Sequence, residues 1–348
     1  MMRGEAYKAC IIGCGRIGCA FDDDPRRGYV STHAGAYVRT PGVELAALCD
    51  VDREKQDRYG EKFGVPGRYT ELTPMLEAER PDILSVCTWS DSHLEIVQEA
   101  VKYGVRAIFC EKPIADSLDA ADEMIRICAE NDVILQINHQ RRFDPFHQRI
   151  ASFVHGGELG RLQQITCYYT AGVSNTGTHL FDLLHLFGGE IAWVQGRISS
   201  SFAPNPADPN IDAWIAFANG AMAAIQACDV RDFSIFEICM LGSKGRMRVT
   251  QSGFDAVFEE ARESHRFAGY KELYPTPSPV QPDGKREFML FAVSHLLECL
   301  RERRIPASSG KDGRAALEVI CALQESVANG GSVMHLPLAT THVKINSR

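Results

Sequence analysis

The sequence predicts two domains of different class, an α/β domain followed by an α+β domain. In the first part of the chain, short apolar runs alternate with helical patterns, which is typical of a doubly wound parallel sheet. Beyond about residue 145 several strand patterns follow one another directly, which indicates an open, mainly antiparallel sheet. With 348 residues the chain is long enough for two cores. We therefore expect domains at residues 1–140 and 141–348, with C-terminal helices able to pack back on the first.

In the first domain, an apolar strand at residues 9–12 is followed by a helix at 32–38, and a polar insertion at 22–28 separates the two. Strands and helices then alternate as far as residue 137. The further strands are at 43–49, at Tyr69, and at 82–87, 105–110 and 133–137, and the further helices at 53–63, 92–103 and 118–131.

In the second domain, Asn219-Gly220 between two strand patterns predicts a hairpin turn. The predicted strands are 162–170, 193–201, 213–217, 221–229, 233–241 and 247–250, with helices at 146–154, 179–187, 286–303 and 313–328. In the segment 274–279 every second residue is proline, and the segment is predicted to form a loop.

Composition excludes several classes of function. The net charge of −8, without a basic stripe, argues against nucleic-acid binding. No apolar run approaches the roughly 18 residues of a membrane span, and no signal peptide is recognisable. The twelve cysteines are scattered and contain no C-x-x-C, so we expect reduced, buried thiols, a cytoplasmic location and no metal site.

A glycine-rich hexamer directly follows the first strand. Its sequence GCGRIG fits G-x-G-x-x-G, in which the glycines allow a tight turn, backbone approach to a pyrophosphate and close helix packing. The predicted dinucleotide contacts are Gly13, Cys14, Gly15, Arg16, Ile17 and Gly18.

The second strand ends in an acid, Asp50, which suits the hydroxyl groups of an adenosine ribose. The next residue, Val51, offers no cation for a 2′-phosphate, so the pattern favours NAD over NADP. Alternatively, Asp50 or Asp52 caps the following helix; we assign the cap to Asp52 and the ribose to Asp50.

Three further strand ends carry polar residues, and ligands of parallel sheets bind at this edge. They are Thr88-Trp89-Ser90, Glu111-Lys112-Pro113 and the segment 138–142.

With these motifs in order, the sequence resembles the glucose–fructose oxidoreductase/inositol dehydrogenase family over almost its full length. The tripeptide Glu111-Lys112-Pro113 is the most diagnostic, and residues 88–93, 138–145 and 157–160 also match. The resemblance implies an N-terminal Rossmann domain and a C-terminal open sheet that covers the nicotinamide and often supports oligomerisation. It also implies hydride transfer with a sugar, cyclitol or related polyol, and we expect a homodimer or homotetramer.

Oxidising a secondary alcohol requires a proton acceptor and a cation near one oxygen. Lys112, at a strand end, can supply the cation and contact both cofactor and substrate, although a surface lysine before a turn proline is the alternative. Glu111 either pairs with Lys112 or shapes the loop.

Members of the family commonly carry an acid, three intervening residues and a histidine at the helix that begins near Gly177. Here His179 matches the histidine, and Asn175 replaces the acid. Asn175 cannot act as a base, so the resemblance assigns the proton to His179 or a water relay, with Asn175 hydrogen-bonded to substrate. Asp182 either orients His179 or lies at the domain interface.

Other residues complete the predicted site. Arg142 either contacts substrate or clamps the two domains, and His93 either reaches the cofactor or belongs to its helix. The remaining predicted cofactor contacts are Val51, Thr88, Trp89, His93 and Glu111.

The favoured hypothesis is an NAD-dependent dehydrogenase acting on a secondary hydroxyl of a sugar, nucleotide-sugar or cyclitol. The alternatives are an enzyme that retains NAD for non-redox chemistry and a non-catalytic NAD-binding sensor.

Overall fold

A computed structural model describes residues 6–282, 284 and 286–346. The chain divides into two compact units. The first contains the residues up to Asp144 and the segment Arg286–Arg314; the second contains Pro145 to residue 285 and the chain from Ala315 onward.

The first part of the chain alternates strands and helices, as its apolar pattern predicts. Its elements are β1 (Tyr7–Ile12), α1 (His33–Arg39), β2 (Val43–Cys49), α2 (Arg53–Phe63), β3 (Gly67–Tyr69), α3 (Leu72–Glu79), β4 (Ile83–Val86), α4 (His93–Lys102), β5 (Ala107–Cys110), α5 (Leu118–Glu130) and β6 (Ile134–Ile137). A 3₁₀ turn at Ala20–Asp23 lies between the glycines and α1.

The six strands form one parallel sheet in the order β3-β2-β1-β4-β5-β6. This is the strand order of a Rossmann fold, which brings all six carboxyl ends to one edge. The strands are short and almost continuously apolar because helices cover both faces of such a sheet. The predicted α/β class is confirmed.

The rest of the chain supplies a second sheet and four helices. The elements are α6 (Pro145–His155), β7 (Leu162–Tyr169), α7 (Gly177–Gly188), β8 (Ile191–Ile198), β9 (Ile211–Phe217), β10 (Met222–Ala227), β11 (Glu237–Gly242), β12 (Gly245–Thr250), β13 (Asp255–Glu263), β14 (Lys271–Thr276), α8 (Phe288–Glu302), α9 (Gly310–Ala328) and β15 (Met334–His335).

The second sheet has nine strands in the order β14-β13-β12-β11-β7-β10-β9-β8-β15. Only the β7–β10 pair is parallel among the pairs described; the predicted, mainly antiparallel sheet is confirmed. The turn at Asn219-Gly220 joins β9 to β10, with Gly220 at φ +86°.

One predicted loop is wrong in its first half, because residues 274–276 belong to β14. Pro275 lies opposite Glu259 in the outermost strand of the sheet. Proline lacks an N–H and is tolerated in an edge strand, where one side of the backbone has no neighbour. The prolines in this segment are therefore compatible with an edge strand.

Helix α8 belongs to the first unit although it follows the second sheet in sequence. Its buried side chains join the same core as Ile11, Leu48 and Phe109 of the parallel sheet. The contributing residues of α8 are Met289, Ala292, Val293, Leu296, Leu297 and Leu300.

The cysteines are free thiols, and ten of the twelve are buried. Among the described residues, no helix combines the length and apolar character that crossing a bilayer requires.

Leu296→Ala tests the assignment of α8 to the first core. Leu296 has no exposed surface, so truncation removes apolar contacts and leaves a cavity. We expect the free energy of unfolding to fall by about 2–5 kcal/mol, measured by urea denaturation with circular dichroism. The control, Ile305→Ala, changes a residue that is 82% exposed and should stay within about 0.5 kcal/mol of wild type. Equal stabilities of the two variants would contradict the assignment.

Candidate functional site

The turn after β1 is shaped by two glycines that leave no room for a side chain. Gly13 has φ +95°, and a Cβ there would lie 2.6 Å from the carbonyl oxygen of Cys87. A Cβ on Gly18 would lie 2.0 Å from the carbonyl oxygen of Gly13. Both contacts are shorter than van der Waals distance, so the tight turn depends on glycine at both positions.

Gly15 differs from these two glycines, because a Cβ there would have no protein atom within 4 Å. The carbonyl of Gly15 accepts the amides of Cys19 and Ala20, both at 3.0 Å, which closes a helical turn. The first amides of a helical turn have no acceptor inside it. Open space beside these amides is what a pyrophosphate requires, so the residues present fit a dinucleotide.

Asp50 lies beside the same turn at the end of β2. Its carboxylate accepts the amide of Cys14 at 2.7 Å and the amide of Asp52 at 2.9 Å. Asp52 caps α2 by accepting the amides of Glu54 and Lys55 at 3.1 and 3.3 Å, as predicted. Val51 is 92% exposed. Contact of Asp50 with a ribose stays a prediction.

The insertion at residues 22–28 is anchored at its start. Asp22 accepts the amide of Ser31 at 2.7 Å and the hydroxyl of Thr32 at 2.6 Å. Asp23 forms ion pairs with Lys62 at 2.6 Å and Arg58 at 2.7 Å on α2. The hydrogen bond from Lys62 lowers the pKa of Asp23 below its ordinary value. These contacts fix the insertion to the cofactor-binding unit.

His93 connects the segments that follow β4 and β5. Its ring is 1% exposed, with Nδ1 3.0 Å from the carbonyl of Ile114 and Nε2 3.2 Å from that of Thr88. Burial lowers the pKa of His93, so the ring is neutral at pH 7. The geometry gives His93 a positioning role; direct contact with a cofactor stays a prediction. Trp89, by contrast, is 47% exposed.

Glu111 is buried at the end of β5 and accepts three N–H donors. Oε1 lies 2.9 Å from His33 Nε2 and 2.6 Å from Asn138 Nδ2, and Oε2 accepts the amide of Lys112 at 3.3 Å. Burial raises the pKa of the Glu111 carboxyl, but the hydrogen bonds from His33 and Asn138 outweigh it, and the net pKa is lowered. An ionised carboxylate therefore shapes the loop that carries Lys112.

The hydrogen bonds continue from His33 to two further buried side chains, and the sequence analysis did not predict these contacts. His33 Nδ1 lies 2.8 Å from Ser85 Oγ, which lies 2.7 Å from the hydroxyl of Tyr37. All three side chains are fully buried. Since His33 and Glu111 are 78 residues apart, no local spacing signals the pair.

Lys112 and Arg142 follow β5 and β6 in the first unit. Lys112 is half-buried, and its peptide bond to Pro113 is cis. The guanidinium of Arg142 pairs with Asp312 at 2.8 Å and donates to the carbonyl of Ala307 at 3.2 Å. Arg142 thus ties the 3₁₀ turn after β6 to Ala307 and to the first turn of α9. Its contact with a substrate stays a prediction.

In the second unit, Asn175 and His179 lie at the start of α7. Asn175 is exposed and lies two residues before α7, and His179 is half-buried in the first turn of the helix. Asp182, three residues after His179, is 1% exposed. Lys112 belongs to the other unit, so the predicted convergence of Lys112 with His179 stays a prediction.

Asp208 holds the loop that leads into α7, and sequence reasoning missed it. Its carboxylate accepts the amides of Ser174 at 2.7 Å and Asn175 at 2.9 Å. Asn210 accepts the amide of Gly172 at 2.9 Å. Only the position of Asp208 in the polar segment 203–210 could have drawn attention to it.

The described residues contain no cluster of three or more His, Cys, Asp or Glu side chains arranged to hold a metal ion. The geometry of the first unit instead matches a nucleotide site at the edge of the parallel sheet.

The strand order, the glycine turn and the acid after β2 define a dinucleotide-binding Rossmann protein with an additional α/β domain. The chain belongs to the Gfo/Idh/MocA oxidoreductase family. Residues 7–139 match the family profile described as an NAD-binding Rossmann fold, and residues 171–335 match its C-terminal alpha/beta domain. The predicted family is confirmed, and the first domain is of the NAD(P)-binding type.

Several dehydrogenases are similar in sequence over nearly their full length. The chain is 30% identical to myo-inositol 2-dehydrogenase of Thermotoga maritima, covering 93% of this chain and 97% of that protein. It is 24% identical to D-apiose dehydrogenase of Paraburkholderia graminis, covering 94% and 90%.

The fold is also similar to solved structures. The WlbA dehydrogenase from Bordetella pertussis, in complex with NADH and UDP-GlcNAcA, superposes with a TM-score of 0.77 at 22% identity, covering 96% of this chain and 100% of that one. An oxidoreductase from Agrobacterium radiobacter in complex with NAD+, L-tartaric acid and magnesium gives 0.74 at 20% identity, covering 94% and 98%.

Gly15→Ala and Gly18→Ala test whether each glycine leaves room for a ligand or for the protein's own backbone. The added methyl at Gly15 meets no protein atom, so we expect a melting temperature near that of wild type and NAD⁺ binding weakened about ten-fold or more. At Gly18 the methyl meets the Gly13 carbonyl, so stability should fall by about 1–3 kcal/mol. Thermal melts and isothermal titration measure both. Unchanged NAD⁺ affinity in folded Gly15→Ala would contradict the assignment.

Proposed function

We propose that the protein is an NAD-dependent dehydrogenase that oxidises a secondary hydroxyl, or reduces the matching ketone, of a sugar, nucleotide-sugar or cyclitol. One observation carries the proposal. Lys112 follows β5 at the same sheet edge as the open glycine turn after β1, and its backbone is held by a buried carboxylate. Ligands of parallel sheets bind at this edge, so the position of Lys112 in the fold suits a contact with a substrate beside the dinucleotide.

Each polar group has a distinct task in this proposal. NAD⁺, when bound, supplies the hydride acceptor. Lys112 donates a charged hydrogen bond to the substrate oxygen and stabilises the developing alkoxide. His179 takes the hydroxyl proton, because an imidazole with an ordinary pKa near 6.5 exchanges protons at neutral pH. Asn175 donates to or accepts from a neighbouring hydroxyl.

The names of the similar proteins support the proposed substrate class. The relatives include a myo-inositol 2-dehydrogenase and a D-apiose dehydrogenase, and both names describe polyols or sugars. Asp208 and Asn210 support the loop that carries Asn175 in this chain. We propose that this loop and the insertion at 22–28 select among such substrates.

A non-catalytic NAD-binding sensor is the second candidate, and Asn175 is the observation that favours it. An amide stands where members of the family commonly carry a carboxylate, and it cannot accept the substrate proton. Binding of NAD⁺ without turnover across a panel of sugars, nucleotide-sugars and cyclitols would support the sensor. Accumulation of NADH with any of them supports the dehydrogenase, whereas product formation without NADH indicates an enzyme that retains its cofactor.

Lys112→Ala tests the proposed chemistry. Removing the ammonium should lower kcat about 10²–10³-fold, because the alkoxide loses its charged donor, while the Kd for NAD⁺ stays within about three-fold. Initial rates of NADH formation and fluorescence titration measure the two quantities. Lys102→Ala is the matched control, since Lys102 pairs with Glu99 on the surface of α4. Full activity of Lys112→Ala with the true substrate would refute the assignment.

Asp50→Asn tests the cofactor preference. We expect wild type to prefer NAD⁺ over NADP⁺, because the Asp50 carboxylate repels a 2′-phosphate. The amide oxygen of the variant can still accept the Cys14 amide, at the cost of the hydrogen bond from the Asp52 amide, so the turn is kept and the preference in kcat/KM should narrow about ten-fold. Asp52→Asn, which changes the cap of α2 and the ion pair with Lys55, is the control. Equal use of both cofactors by wild type would be the contrary outcome.

A further inference from the structure

We propose that His33 and Glu111 are positioning residues that fix the backbone of Lys112 for reaction. The inference rests on the proposed function of Lys112 and extends it to two buried side chains on different elements. His33 begins α1, and Glu111 follows β5.

Glu111 is the acceptor at one end of this network. As a carboxylate it only accepts, so His33 Nε2 and Asn138 Nδ2 donate to it. On the other side of the ring, His33 Nδ1 lies 2.8 Å from the Ser85 hydroxyl, which lies 2.7 Å from the Tyr37 hydroxyl. Both ring nitrogens of His33 are therefore engaged, which fixes the orientation of the imidazole beside Glu111.

The second carboxylate oxygen connects the network to the site. Oε2 of Glu111 accepts the amide of Lys112, at the residue whose ammonium we assign to the substrate oxygen. Glu111 follows β5, Asn138 follows β6 and contacts the carboxylate directly, and Ser85 of β4 is connected to it through His33. A shift of Glu111 therefore moves the Lys112 backbone relative to the sheet edge.

A purely structural role is a poor explanation for a charge at this place. Burying an ionised carboxylate is unfavourable, and well-packed apolar residues of similar volume often stabilise a fold equally well. His33 already packs its ring 4.4 Å from that of Phe109, so its nitrogens are not needed for apolar contact. The polar atoms act on the Lys112 loop.

The test uses the full chain and the variants Glu111→Gln, His33→Phe and His33→Gln. Hydrogen exchange by mass spectrometry follows the amides of residues 111–116, and steady-state kinetics follow kcat, KM and the Kd for NAD⁺. Thr40→Val is the matched control, because it removes a buried hydrogen bond to Ala36 at the other end of α1.

We expect Glu111→Gln and His33→Phe to raise exchange at 111–116 about ten-fold, without change at 172–177, and to lower kcat about 10–100-fold with KM and Kd within about three-fold. His33→Gln retains an amide donor and should recover most of kcat. Thr40→Val should match wild type in both measurements. Wild-type exchange at 111–116 in both disruptive variants, or a lowered melting temperature with unchanged kcat, would overturn the proposal.

Failure of the proposed function gives a different result. If wild type turns over no substrate, the dehydrogenase proposal fails, and the exchange measurement alone still decides whether His33 and Glu111 hold the Lys112 loop. If Glu111→Gln or His33→Phe does not fold, Ser85→Ala replaces it, since this variant removes the hydroxyl that contacts His33 Nδ1 and Tyr37 and leaves Glu111 unchanged. An exchange increase of about three-fold at 111–116 is then expected, and no increase overturns the proposal.

Discussion

The site depends on one steric constraint, the absence of side chains at Gly13 and Gly18. Their close approach turns the chain sharply after β1 and leaves Gly15 facing open space. Asp50 reinforces the turn by accepting the Cys14 amide across 36 residues of sequence. The shape of the turn therefore rests on backbone packing and on a hydrogen bond within the protein.

The second organising feature is a set of carboxylates that accept backbone amides from the loops. Asp50, Glu111 and Asp208 each accept at least one backbone N–H from a segment that carries a candidate site residue. Carboxylates hold such amides more strongly than neutral acceptors do, because the hydrogen bonds are charge-assisted. Loops without regular structure thus acquire defined positions, which is the condition for catalysis by preorganised groups.

Apolar periodicity and glycine spacing were sufficient to predict the parallel sheet, its strand ends and the cofactor turn. They failed for β13 and β14, because Asp255–Glu263 is acidic and lies near the sheet edge, where burial imposes little alternation. Helix α3 was not predicted from the sequence, because it is short and contains Pro74 in its first turn. The contact between His33 and Glu111 has no local signature, since tertiary packing alone creates it.

Helix α8 has a consequence for how the protein is made. The parallel sheet is complete after residue 137, yet part of its hydrophobic cover is encoded at residues 288–302. A ribosome synthesises the whole intervening segment before this cover emerges, so the nascent nucleotide-binding half exposes an apolar surface for that time. At about 5–20 residues per second this interval lasts on the order of ten seconds or more, during which chaperones have access to the unfinished core.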